Sequence, residues 1–361
     1  MSDQARMYIA GMGMITPIGA DTTMTAAAVK AQVSGYQASG RFTQPGGQPI
    51  TMTRVPRSIF EPLLAEIDQG RCQSAQYDRI IIMAILALRE ALAGQSIKKP
   101  VPLILAMPEE RPNVSYVPTE LLITNLVNQK DLPLHADLVR SFHAGRAGGI
   151  QGLELAQHYL SHQKADYVLL GGSDSYWDTL RLGELEKENR LLAPYSADGF
   201  APGEGAGFLL LTRHPEKAMA KGGHVIALSR PGSSQEPGHL HSDEPYRGDG
   251  LDKAFKQALG DHAARGIKTI YSSMNGEHHW AKEYGVAFIR NSDHFHDPVN
   301  IEHPADCYGD LGSATAPVLI ALAADDLLKR PGLATHLVYS SSDGAARAAV
   351  RVEKISRAVN Q

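Results

Sequence analysis

The most restrictive feature of this sequence is a pattern that runs through it twice. Short apolar runs bounded by glycine and polar turns alternate with stretches of helical period, which specifies an α/β fold whose strands are largely buried. In the first run, "MYIAGMGMIT" predicts a strand ending in a glycine turn, and "DTTMTAAAVKAQVSG" a helix capped by Asp21 or Thr22. The stretch 79–94, "RIIIMAILALREALAG", carries so few charges on any face that its helix must be covered on several sides. "VPLILAMPE" reads as a strand, "TELLITNLVNQ" and 149–163 as helices, "ADYVLLGGSDS" as a strand and turn, and "GAGFLLLTR" as a closing strand. The pattern restarts after "HPEKAMAKGG" with "HVIALSRPGS" and runs on to "HLVYSSSD" and "AARAAVRVEK", passing "GLDKAFKQALGDHAARG", "IKTIYSSMNGE", "HHWAKEYGVAFIRNS" and "SATAPVLIALAADDLLKR". No residues repeat literally. Topology is what looks duplicated, with a boundary near 215–223 that divides the chain into 1–218 and 219–361. Two polar segments, "RPGSSQEPGHLHSDEPYRGDG" and "NSDHFHDPVNIEHPADCYGD", interrupt the alternation and are expected to be long loops.

Composition narrows the function. A chain of 361 residues with 43% hydrophobic content buries a large core without staples. Its formal charge of −4 offers no basic excess to neutralise phosphates, so nucleic acid is not an expected partner. Cys72 and Cys307 are the only cysteines, too few for a disulfide framework or a thiolate zinc site, and they fit a reducing compartment. No apolar run approaches the ~18 residues of a membrane span, and the first apolar run lacks a signal-peptide layout. A cytoplasmic protein without membrane insertion is the expectation.

The segment "YSADGFAPGEGAGFLLLTR" carries the most specific signal. Gly203, Gly205 and Gly207 precede an apolar strand instead of following one and opening a helix, so they cannot form a dinucleotide loop. Close backbone packing is their expected use, with Glu204 between them as a structural hydrogen-bond acceptor. This segment, which includes Asp198, closely resembles the Asp-Gly-Phe…Gly-Glu-Gly-Ala-Gly motif of β-ketoacyl-(acyl carrier protein) synthases, members of the thiolase-like superfamily. "IAGMGMITPIGA", "ADYVLLGGSDS" and, more weakly, "LVYSSSDGAARAAVRVEK" resemble other parts of that family, so the resemblance spans nearly the whole chain. It implies a five-layer αβαβα thiolase-like fold of two similar halves, usually a dimer, formed through an edge strand near 165–171.

Enzymes of that family need a cysteine at a helix N-terminus, where dipole and amides favour a thiolate, and two histidines that handle decarboxylation. Counting back from "ADYVLLGG", the cysteine's place falls on Arg146 in "GRAGG". The family's Asn-Ala-His-Gly-Thr corresponds to Ser273, Met274, Asn275, Gly276 and Glu277, which puts Asn275 at the first histidine. Its Gly-His-x-Leu-Gly-Ala-Ala corresponds to 308–314, which puts Gly309 at the second histidine, or Asp310 one register on. The terminal Gly-Phe-Gly-Gly is replaced by "SSSDGAARA". A guanidinium is no nucleophile at neutral pH. The resemblance therefore implies a degenerate member with no catalytic residues and no cofactor or metal. It would act by protein binding, as an assembly, adaptor or chaperone-like protein, for example in a secretion-effector system. A chain-length-factor-like partner of an active synthase in fatty acid or polyketide synthesis is the second reading, and an acyl-thioester enzyme with altered chemistry the third. The implied partners are a second copy, a ketosynthase-like protein, a secretion effector or an acyl carrier. A chain-length factor should keep a long apolar tunnel, whereas an adaptor should have a collapsed pocket.

A buried arginine needs a counter-charge. Glu277 and Asp310 lie on the loops corresponding to the two histidines, and an ion pair from either to Arg146 would plug the old site. The alternatives are an anion site built on Arg146 and helix-terminal amides, or a remodelled turn that puts Arg146 in solvent. Asp293, His294, His296, Asp297, His303 and Cys307 include metal-ligating types, but their spacing fits no standard zinc pattern, and the same holds for His239 and His241. His278 and His279 could replace a lost base, although "NGEHHWAKEYG" reads more simply as a helix start with Glu277 in its first turn and Trp280 facing the core. His143 carries no assigned role. Ser173 follows a strand without the helix that a nucleophile elbow requires.

Overall fold

A computed structural model describes residues 6–43, 47–61, 75–112, 114, 116–162, 165–194, 196, 198–260 and 266–357. In chain order the first part comprises β1 (Met7–Ile15), α1 (Thr22–Lys30), β2 (Gln37–Thr43), β3 (Pro49–Met52), α2 (Ala75–Leu92), β4 (Leu103–Met107), α3 (Thr119–Val127), β5 (Val139–His143), α4 (Gly148–His162), β6 (Val168–Ser175), α5 (Thr179–Lys187) and β7 (Glu204–Thr212). The second comprises β8 (Ala220–Lys221), β9 (His224–Leu228), β10 (Gly232–Gln235), α6 (Asp249–Leu259), β11 (Ile267–Ser272), α7 (His278–Arg290), β12 (Phe295–Glu302), α8 (Ala305–Tyr308), α9 (Thr315–Lys329), β13 (Thr335–Ser341) and β14 (Ala346–Ser356).

Ten strands run in the order β12-β11-β13-β14-β9-β1-β7-β6-β4-β5. Read outward from the central β9/β1 junction, the two wings match. β5 and β6 flank β4 in parallel, as β12 and β13 flank β11, while β7 pairs antiparallel with β6 and β1, as β14 does with β13 and β9. The wings join where Met7 and Tyr8 pair with Leu228 and Ala227.

Helix burial places the layers. In α6 the buried positions Leu251, Ala254, Phe255, Ala258 and Leu259 form one stripe, so this helix covers the outer face of its sheet against β14 and β10. In α9 the run from Thr315 to Ala324 is buried on every side, as a helix between the two wings of the sheet must be. α9 packs on β7, β13 and β14, α4 packs on β4 and β6, and the two helices touch. With α2 against β1, β7 and β6 on the other outer face, the layers run αβαβα. β4, β6 and β7 are buried at every position because helices cover both of their faces.

The glycine-rich strands allow this closeness. A Cβ on Gly171 would stand 2.2 Å from the Gly207 carbonyl oxygen and 2.3 Å from the Phe208 ring. One on Gly207 would stand 2.7 Å from Val318 Cγ2, and one on Gly205 2.8 Å from the Ile15 carbonyl oxygen.

Several sequence expectations need correction. The strand around 165–171 is not an edge: β6 lies between β4 and β7, and β5 forms the edge of that wing. Its unbroken apolar run marks a strand covered on both faces, which is the opposite of an edge. The segment 291–310 is not a loop but holds β12 and α8; β12 sits at the far edge, and its exposed polar residues conceal it. β10 interrupts the other polar segment. β5, α5 and the β2/β3 hairpin were not anticipated from periodicity. Asp21, rather than Thr22, caps α1, its carboxylate accepting the Met24 N–H at 2.7 Å. Cys72 lies outside the described residues.

Replacing Gly171 by alanine forces β6 and β7 apart at a point with no flexible neighbour. The expected loss is about 3 kcal/mol, read as a lower urea midpoint at unchanged m-value.

Candidate functional site

The two central helices open in the same manner, and their openings meet. Gly145 adopts φ +55° and leads through a 3-10 turn, Gly145–Ala147, into α4; Gly312, also at φ +55°, leads through Gly312–Ala314 into α9. Both glycines occupy the left-handed region that disfavours a side chain. A Cβ on Gly149 would stand 2.5 Å from Pro317 Cδ, so the glycine allows α4 to lie against α9. The first helical amides are satisfied from outside their own helix. Ala147 N–H donates to Ser342 Oγ at 2.9 Å, and Ser313 N–H to Asp174 Oδ2 at 3.0 Å.

Arg146 stands on the first of these turns, 4% exposed. Its Nη1 donates to Asp310 Oδ2 at 2.7 Å, its Nη2 to Asp343 Oδ1 at 2.5 Å, and its Nε to the Ser341 carbonyl at 2.8 Å. The guanidinium also lies 4.7 Å from the centroid of the Trp280 ring. Of the two carboxylates expected near it, Asp310 is its partner. Glu277 instead takes both Nε and Nη2 of Arg190, at 2.6 and 2.9 Å. Asn275 joins the two pairs, donating through Nδ2 to Asp310 Oδ2 at 2.9 Å and to Glu277 Oε2 at 3.0 Å. Asp343 links the two arginines, accepting from Arg190 at 2.7 and 3.1 Å as well as from Arg146.

The pairs that Arg146 and Arg190 make with Asp310, Glu277 and Asp343 each join a residue before position 218 to one after it. Burial pushes the Asp343 carboxyl up, but the guanidiniums of Arg190 and Arg146 outweigh it and hold the group well below the ordinary carboxylate range. Burial likewise works against the charged form of Arg146, and Asp343 and Asp310 overcome it. Glu109 accepts the Gly344 N–H at 3.1 Å; burial, then the neighbouring Asp343, pushes its carboxyl up.

Little space remains around Arg146 and Asp310. A cavity of about 40 Å³ adjoins Arg146, between Glu109, Asp174, Tyr176 and Arg181. Another, of about 10 Å³, lies between Asn275, Gly309 and Asp310. The second holds one water at most and the first a few.

The other predicted positions have plainer surroundings. Glu204 is fully buried and accepts from Val55 N–H at 2.9 Å, Ser175 Oγ at 2.9 Å and Arg79 Nε at 2.9 Å, so its duty is structural. A Cβ on Gly203 would meet Thr53 Oγ1 at 2.6 Å, and one on Gly309, at φ +76°, the Ala201 carbonyl oxygen at 2.7 Å. Asp198 is half-exposed and accepts the His278 N–H at 3.1 Å, away from Arg146. Ser173 Oγ donates to the Ile80 carbonyl at 2.7 Å inside the core. His143 lies 3.4 Å from Glu110 and outside the cluster. His296 turns to the Pro298 carbonyl and His303 to Ser272, and among the described residues no three His, Cys, Asp or Glu side chains gather as a metal site requires. Glu277 stands just before the first turn of α7, at its N-cap position but with no side-chain capping bond, and Trp280 is buried as expected. Asp343 and Arg190 had no signal of their own, because a lone Asp before Gly reads as a turn and a lone Arg as a solvated charge.

Comparison with known proteins agrees with this architecture. Residues 140–217 match the family model of the β-ketoacyl synthase N-terminal domain. A type II PKS acyl-carrier protein in complex with its ketosynthase bound to the hexaketide superposes at TM-score 0.75, with 16% identity over 98% of this chain and 99% of that one. The ishigamide ketosynthase/chain length factor superposes at 0.72, with 16% identity over 96% and 98%. A ketosynthase from module 6 of the bacillaene synthase from Bacillus subtilis 168 superposes at 0.73, with 13% identity over 96% and 72%. No curated protein matches the sequence significantly. The chain has a ketosynthase-like thiolase fold. Among the described residues no helix is long and apolar enough to cross a membrane.

One titration checks this neighbourhood. Burial, then the Arg347 guanidinium, pushes the His279 ring down from 6.5 to about 4. The unfolded chain therefore takes up this proton first, and the stability the neutral ring contributes above pH 6.5 is lost as pH falls toward 4. Urea midpoints should drop across that window, and His279→Gln should drop less; equal slopes would contradict the assignment.

Proposed function

We propose that this protein performs no acyl condensation and acts by binding another protein, on a ketosynthase-like scaffold whose reaction centre is occupied by its own charges. In this reading Arg146 takes the nucleophile's place, Asn275 and Gly309 or Asp310 the places of the two histidines, and residues 1–218 and 219–361 are the two thiolase-like halves. The observation that carries it is the buried guanidinium of Arg146 at the head of α4, held by Asp310 and Asp343. A side chain fixed in this way neither attacks a thioester nor leaves room for one beside the 40 Å³ cavity.

The small cavities also favour an adaptor over a chain-length-factor-like partner, which would need a tunnel for a growing chain. One of the similar solved structures does contain a chain length factor, so a ketosynthase-like partner remains the second reading. The free edge at β5, with Leu138 exposed beside it, is the proposed place for a second copy or a ketosynthase-like protein to add its own edge strand. An enzyme of altered chemistry would need room for a substrate at Arg146, and the space there, about 40 Å³, holds only a few waters.

The test is intact-protein mass spectrometry after incubation of the purified chain with acetyl- and malonyl-thioesters, run beside an active ketosynthase. No mass increase and no condensation product are expected. A stoichiometric acyl adduct would overturn the proposal.

A further inference from the structure

The β2/β3 hairpin carries arginines stacked on aromatic rings. Trp177, just after β6, is pinned at its end, with Nε1 donating to the Thr53 carbonyl at 3.1 Å and the backbone N–H to Ser175 Oγ at 3.2 Å. Phe42 of β2 meets that ring edge-on at 5.7 Å. A guanidinium lies against each ring: Arg54 stands 4.3 Å from the Trp177 centroid and Arg41 5.7 Å from the Phe42 centroid. A stacked guanidinium keeps its N–H edges for a second partner.

Neither arginine has that partner. Both are exposed, and among the described residues no hydrogen bond or ion pair reaches either side chain. The surroundings add cations instead. Burial, then the Arg79 guanidinium, pushes Arg54 down from the ordinary arginine range; Glu204 opposes this, and Arg41 and Arg57 add to it. Glu204 is fully buried and already bound to Arg79 Nε at 2.9 Å, so it is spent. Arg57 has an exposed contact of 3.9 Å to Glu61, a pair worth little in water. The hairpin is also a firm platform with an open side. Ile50 and Met52 pack with Tyr176, Leu182 and Phe200 beneath it, while among the described residues β2 pairs with β3 alone, which leaves its other edge for an extended chain.

We propose that this patch docks an acidic segment of a partner protein, with carboxylates on Arg54 and Arg41 and the segment's backbone along β2. A carboxylate accepts two parallel N–H bonds from one guanidinium, and stacking on Trp177 already fixes the plane that such a fork requires. Arginine and tryptophan are also the side chains that dominate protein interfaces. A free inorganic anion on so exposed a surface would gain the charge contact but neither the rings nor the strand edge. The inference rests on the protein-binding reading and names the chemistry of the partner. It draws on the hairpin and not on what Arg146 replaces, so its test and the thioester experiment fail separately.

Fluorescence anisotropy of the full chain with a labelled peptide of alternating glutamate and valine tests it, with a glutamine–valine peptide and inorganic phosphate as controls. Saturable binding of the acidic peptide is expected, with affinity falling as salt rises from about 50 to about 500 mM. Arg54→Gln and Arg41→Gln, at exposed positions where folding is not at stake, should each weaken binding about fivefold or more. Arg230→Gln, which removes an exposed cation between β9 and β10, should leave it unchanged. Arg54→Glu should turn the preference toward a lysine–valine peptide. No saturable binding of the acidic peptide, equal binding of the glutamine control, displacement by phosphate at equal concentration, affinity unchanged in both hairpin variants, or an equal loss in Arg230→Gln would overturn it.

Discussion

A positive charge sealed between the two wings of the sheet organises this molecule. Arg146 cannot give up its proton at any ordinary pH, and at 4% exposure it cannot reach bulk water. The surrounding chain must therefore bring counter-charge to it. Asp310 arrives from the link between α8 and α9, Asp343 from the turn between β13 and β14, and Asn275 from the loop after β11. Arg190 then becomes necessary in turn, because Asp343 and Glu277 together carry more negative charge than Arg146 can balance. Trp280 closes the set, its face beneath Arg146 and its indole N–H on Glu277 at 2.9 Å.

The duplicated topology makes this meeting possible. Parallel strands in each wing deliver helices α4 and α9 to the central layer in matching orientation, so their first turns fall side by side. Here the junction collects a salt-bridge network that fastens the first part of the chain to the second, with cavities of only about 40 and 10 Å³ beside it. Buried ion pairs are poor sources of net stability compared with apolar packing. Their value here is specificity: every contact must be present together, so the loops have one arrangement.

Most of this architecture was legible in the sequence where burial is complete. The runs that became β4, β6, β7 and the first part of α9 are mostly apolar and buried throughout, and only an inner layer could hold them. Legibility failed at the edges. β12 is buried only at Phe295 and carries polar, partly or fully exposed residues after it, and β5 shows Arg140, Ser141 and His143 to solvent, so neither carries a period-two apolar signal. The site divided in the same way. Arg146 and Asp310 could be paired from motif spacing, since both adjoin small-residue turns. Arg190 and Asp343 could not, because a charge partnered across 153 residues leaves no local trace.

The central claim is that these charges act as one unit, and a double-mutant cycle between Arg146→Met and Asp343→Asn measures it directly. Removing Arg146 alone strands buried carboxylates and should lose about 3–5 kcal/mol. The double variant should lose less than the sum of the single variants by about 2 kcal/mol or more. Losses that add to within about 0.5 kcal/mol would mean that the two side chains do not depend on each other, and the account would be wrong.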